Sequence, residues 1–273
     1  RAVEAALFTF MGRVALVVFA LTLVATWGIE TPGRRQQLSR AEDRDDAITL
    51  GVAWRLITSS RQVLVFFCFL LAFTLAVFLQ DPILESYGAE VFNLPIAATA
   101  SLSAVWGIGT LVGLLLAGLW LVPRLGKFAC ARLGCQLILA SLLLLTLVGL
   151  TAEPQLLKLV LFLFGLATGI GTNATLVLML DLTLPEVAGT FVGVWGLAQA
   201  YSRAAGKVLG GGLLDLARTL SPPGSAFPAY AAVFVLEAAI AVLALVLLSR
   251  VNLRQFRDDT GRSLDRVLAM ELG

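Results

Sequence analysis

The sequence predicts an all-α membrane protein, a helical bundle with seven transmembrane helices. Three observations predict it. Hydrophobic residues make up 59% of the 273-residue chain and charged residues only 14%, against roughly 25% charged in an ordinary soluble domain; the mean hydropathy is +0.91. The apolar residues gather in seven runs, each near the ~20 residues that a helix needs to cross a bilayer. The basic residues between the runs fall mostly on one side. These figures exclude a soluble globular enzyme, and they exclude a disordered chain, which is polar and highly charged. A net charge of +2 is too small for a nucleic-acid surface, so no nucleic-acid partner is expected.

The first run, 5–29, ends at Thr31-Pro32-Gly33 and carries Arg13 at mid-depth, with Glu4 as a partner candidate. A polar stretch, 30–60, follows. It opens with Arg34-Arg35 and continues through the mixed charges of 41–46. Ile48, Val52, Trp54, Leu56 and Ile57 suit a short amphipathic helix on the membrane surface, a solvated linker being the plainer reading. Six runs come next: 63–79, 94–122, 128–150, 155–182, 187–214 and 227–251. All are too long and too uniformly apolar for barrel strands, which alternate over ~10 residues. Trp27, Trp54 and Trp120 fall near the predicted membrane boundaries. Cys68, Cys130 and Cys135 sit in apolar runs and read as buried thiols. The tail, 252–273, alternates sign, with Leu264, Val267, Leu268 and Leu272 at near-helical spacing.

Loop charge orients the runs. The linker, the loop after run three and the tail together hold fourteen Lys and Arg, among them Arg34, Arg124, Lys127 and Arg254, while the opposite side holds Lys158 and Arg218. By the positive-inside rule the C-terminus is cytoplasmic. One helix, a long polar loop and six closely spaced helices form the pattern of a twelve-helix transporter, built of two parallel six-helix repeats, without its first five helices. The expected organisation is a last helix of an N-terminal half (1–29), a cytoplasmic linker (30–60), a C-terminal six-helix repeat (61–251) and a cytoplasmic tail (252–273). The rest of the N-terminal half is expected before Arg1.

Ionisable groups at membrane depth are costly, which makes each a functional candidate. In run six, Gly196, Gln199, Arg203, Lys207 and Gly210 recur every three or four residues and share one helix face. Glu237 lies at a similar depth in run seven and is the expected partner of Arg203; Asp215 is the expected partner of Lys207. The face reads either as structural charge pairs or as a cavity wall for an anionic or polar group. Asp181 and Glu186 bracket an inner turn, either as plain turn residues or as a gate with Arg124 or Lys127. The glycine pairs 109/113, 165/169, 189/193 and 206/210 permit close helix packing. Gly169-Ile170-Gly171-Thr172-Asn173 reads as flexible backbone beside a polar amide. The sequence has no histidine, phosphate loop, nucleophile elbow or metal cluster, so neither an enzyme nor a metal site is expected.

Three stretches resemble one family: 165–175, Met179-Leu-Asp-Leu-Thr183 and 188–200, with the tail run Phe256-Arg-Asp-Asp-Thr-Gly-Arg262. They are similar to the PucC/LhaA family, the bacteriochlorophyll-delivery branch of the major facilitator superfamily, in its C-terminal half and in wording closer to cyanobacterial members. Pro123-Arg-Leu-Gly-Lys127 resembles the superfamily's inner-loop motif with proline in place of its aspartate. The resemblance implies a major-facilitator-type bundle in the photosynthetic membrane, thylakoid or cytoplasmic. It implies an assembly factor that delivers or handles (bacterio)chlorophyll, or chaperones light-harvesting or photosystem subunits. The implied cofactor is chlorophyll or a chlorophyll precursor, held without histidine by groups such as Asn173, Gln199 or Glu237, or through a bridging water. Two other readings stand beside it: an ion-coupled solute transporter, with Glu237 as its deep carboxylate, and a structural pigment-binding subunit.

Overall fold

In a bilayer every backbone N–H and C=O must be satisfied within the chain, so long apolar runs become helices. A computed structural model of the chain describes residues 2–26, 61–182, 188–222 and 225–251, and no strand occurs among them. The predicted linker and tail, with their surface-helix candidates, lie outside the described residues, as do Glu186 and the side chains of Glu4 and Asp181.

The chain divides into two units, Arg1–Thr49 and Leu50–Gly273. In the first, α1 (Ala2–Thr26) is a regular helix whose Thr22 and Thr26 hydroxyls each donate to the carbonyl four residues back, at 2.8 Å. The second unit contains α2 (Arg61–Phe78), α3 (Leu84–Phe92), α4 (Ile96–Leu116), a π-helical turn (Ala117–Leu121), α5 (Val122–Leu125), α6 (Lys127–Val148), α7 (Pro154–Leu182), α8 (Ala188–Leu220) and α9 (Phe227–Ser249). The seven apolar runs coincide with α1, α2, α4, α6, α7, α8 and α9; the short α3 was not foreseen.

Five helical stretches among the described residues are long and apolar enough to cross a membrane: Arg61–Phe78, Ile96–Leu125, Lys127–Val148, Pro154–Leu180 and Phe227–Ser249. The protein is an all-α membrane protein. The described apolar part of α1, Thr9–Val24, is shorter than a full span. At 33 residues α8 is long enough, but it carries Arg203, Lys207, Asp215 and Arg218 and is not among the five.

In the second unit α4 packs on α7, α7 on α6, and α6 on α9; α2 and α8 pack on α9 and on each other. Glycine makes the closest of these contacts possible. A Cβ on Gly113 would strike the Leu166 carbonyl oxygen, and one on Gly165 the Trp106 carbonyl oxygen. Two of the expected glycine pairs therefore mesh with each other, joining α4 to α7. Gly134 and Gly171 bring α6 equally close to α7. Gly210 of α8 lies against the Leu79 carbonyl, just beyond α2. Gly193 is different, with open space around it. The run 169–173 is unbroken helix, so its glycines are contact points rather than flexible backbone.

The π-helical turn sits just ahead of Pro123, which has no N–H to offer the Leu119 carbonyl. Gly126, at φ 82°, takes a backbone conformation that favours glycine and starts α6. Asn93, at φ 53° and ψ 34°, closes α3.

Candidate functional site

The four residues that end α2 and begin the following turn, Phe78 to Asp81, meet three other helices. On one side they receive the cationic face of α8. The Arg203 guanidinium carbon lies 4.5 Å from the centroid of the Phe78 ring, and its Nη2 donates to Gln199 Oε1 at 3.1 Å. One turn on, Lys207 Nζ pairs with Asp81 Oδ2 at 3.3 Å, the side chains 63% and 28% exposed respectively. Phe78 also stands edge-on to Trp106 of α4, with centroids 6.0 Å apart.

From α9 comes Glu237, fully buried, whose Oε1 accepts the Gln80 backbone N–H at 3.0 Å. This corrects the expected pairings. Arg203 and Glu237 do not pair with each other; each is held by the same short turn, through Phe78 and Gln80. Lys207 takes Asp81 instead of Asp215, which lies 3.8 Å from Arg218. Sequence periodicity places residues of one helix on a face. It carries no information on a turn more than a hundred residues away in the chain.

Asn173 stands apart from this face. Its Nδ2 donates to the Leu114 carbonyl at 3.3 Å beside the π-helical turn, which makes it a packing contact between α7 and α4. Arg124 lies 4.1 Å over the Trp120 ring on its own helix. Lys127 opens α6, and the side chain of Asp181 lies outside the described residues, as does the gate they would form. An apolar groove of about 460 Å³ lies between α2, α8 and α9, lined by Cys68, Leu75, Tyr201, Ser202, Ala205 and Leu243. The three α8 residues lie on the flank away from Arg203 and Lys207.

Next to the site, α3 is tied in from several directions. Tyr87, fully buried, donates its hydroxyl to the Leu145 carbonyl at 2.7 Å. It packs against Phe234, Phe92 and Tyr230 with centroids 4.9 to 5.2 Å apart. Burial raises the Tyr87 phenol well above its ordinary pKa, so it stays a donor. Arg218 donates to Glu90 at 2.6 Å and to the Tyr230 hydroxyl at 3.0 Å. Little in the sequence marks the clamp of Arg218 on Glu90 and Tyr230, since its parts lie in three separate segments.

A family model described as "PUCC protein" matches residues 2–256. The chain is 32% identical over 223 residues to the "Bacteriochlorophyll synthase 44.5 kDa chain" of Rhodobacter capsulatus, covering 78% of this chain and 50% of that protein. It is 30% identical over 251 residues to "Protein PucC" of Cereibacter sphaeroides, covering 90% of this chain and 53% of that one. A protein of the puhA-bchM intergenic region of Rhodobacter capsulatus is 29% identical over 247 residues, covering 85% and 49%. The chain spans about half the length of the curated relatives it matches.

Proposed function

This chain belongs to the PUCC protein family, and from that premise we propose that it serves as a membrane assembly factor. In this reading it delivers or handles (bacterio)chlorophyll or a precursor, and chaperones light-harvesting or photosystem subunits. The names of two relatives point toward this chemistry, one a bacteriochlorophyll synthase chain and one PucC.

The observation that carries the reading is the face formed by half-buried Gln199 and exposed Arg203 and Lys207, with Phe78 beneath it. An arginine exposed midway along a bundle helix is costly against lipid and economical against a polar partner. Pigments present ring carbonyl and ester oxygens, and some a carboxylate, which arginine hydrogen-bonds strongly. Gln199 and the Phe78 ring hold the guanidinium in place for such a group. The magnesium of a chlorophyll is less well served. Glu237 is enclosed, Gln199 Oε1 already accepts from Arg203, and the Asn173 amide faces α4. The residues therefore suit a pigment's oxygens, or a polar patch on a client helix, better than they suit its metal. The alternative, ion-coupled solute transport, needs a deep carboxylate that exchanges protons with bulk water, and Glu237 is enclosed and bonded to the Gln80 backbone.

The proposed setting is the photosynthetic membrane, with the C-terminus cytoplasmic by the loop charges. The proposed partners are antenna or photosystem subunits and a counterpart of the relatives' other half. The test is Arg203→Leu in a chlorophyll-making host. Assembly of the pigment–protein client is expected to fall while this protein's own abundance stays near wild type. Parallel loss of both would make Arg203 a packing element and remove the basis of the proposal.

A further inference from the structure

Glu237 and Gln80 are both fully buried, and between them they carry three polar atoms without a protein partner: Glu237 Oε2, Gln80 Oε1 and Gln80 Nε2. Buried polar groups are ordinarily hydrogen-bonded, to protein or to ordered water. Here the unmatched atoms belong to two residues already in contact, since Glu237 Oε1 accepts the Gln80 backbone N–H at 3.0 Å. The nearby cations are engaged elsewhere, Arg203 over Phe78 and Lys207 on Asp81.

The geometry points to a sealed water-binding site between Glu237 and Gln80. The set is one amide donor and two oxygen acceptors. A single water matches it, accepting from the amide nitrogen and donating to the carboxylate and amide oxygens, the roughly three bonds typical of a buried water. Exchanging the amide's oxygen and nitrogen leaves the same set of donors and acceptors. A sodium ion would use both oxygens but would face the amide N–H groups as well, which makes it the poorer match. The water binds the turn after α2 to α9 through side chains, beside the backbone bond that already joins them.

The test is a high-resolution cryo-EM map of the wild-type protein in lipid nanodiscs, with infrared spectra recorded in ordinary and heavy-oxygen water. The expected result is a density peak within hydrogen-bonding distance of both side chains, and an isotope-shifted O–H stretch that disappears in Gln80→Leu. That variant keeps the Gln80 backbone bond to Glu237, so its fold is preserved where Glu237→Leu would lose it. Ordered side chains bonded directly to each other, with no peak between them, would overturn the inference. So would a thermal midpoint that rises in sodium over choline and loses that rise in Glu237→Gln, because the ligand would then be sodium.

Discussion

At the scale of single residues, the cost of a charge on a membrane helix depends on what it touches. Lys207 and Asp81 form a largely exposed pair, and such pairs contribute about 0–1 kcal/mol. Lys207→Ala should therefore lower the thermal midpoint in detergent only slightly. Glu237→Leu is a different case. It strands the buried Gln80 backbone N–H, and a buried donor without a partner costs about 1–3 kcal/mol. Because Arg203 and Glu237 hold different residues of the turn, combining Arg203→Leu with Glu237→Leu should sum the two losses. A double variant more stable than Glu237→Leu alone would show that the two charges pair after all. The helix face shared by Gln199, Arg203 and Lys207 was legible from spacing alone, since 3.6 residues per turn fixes it. Their partners were not, because those come from a turn with no periodicity of its own.

At the scale of elements, the glycines divide into two groups. Those joining α4 to α7 leave no room for a methyl group. Gly113→Leu should cost at least the ~1–3 kcal/mol of an overpacked core, read as lost folded yield and a lower midpoint. Around Gly193 there is open space, and alanine is favoured over glycine inside a helix by about 0.5–1 kcal/mol. Gly193→Ala should be neutral or mildly stabilising; a clear loss would mean that another helix covers this face in the membrane. The sequence marks both groups identically, as small residues four apart. Only the helices' neighbours distinguish them. The nine-residue α3 went unread for a related reason: it is too short to show a period, and it sits among acidic residues that resemble a loop.

At the scale of the whole molecule, the helix positions were the most legible feature, because bilayer thickness and backbone hydrogen bonding together leave an apolar run few alternatives. The sidedness assigned from loop charge makes a direct prediction. Single cysteines at positions 45 and 260 should label from the same side of the membrane, and one at 85 from the other. Labelling of 45 and 260 from opposite sides would reverse the assigned topology.

The stretch from Leu79 to Pro95 has a consequence for anyone who wishes to alter the protein. Short connections between membrane helices are the usual places to insert an epitope or to open the chain, because little else depends on them. This one behaves as a keystone. Gln80 meets α9, Asp81 meets α8, the Tyr87 hydroxyl reaches the backbone of α6, and Glu90 is gripped by Arg218. Three helices rest on seventeen residues, so a tag placed there would unseat all of them at once.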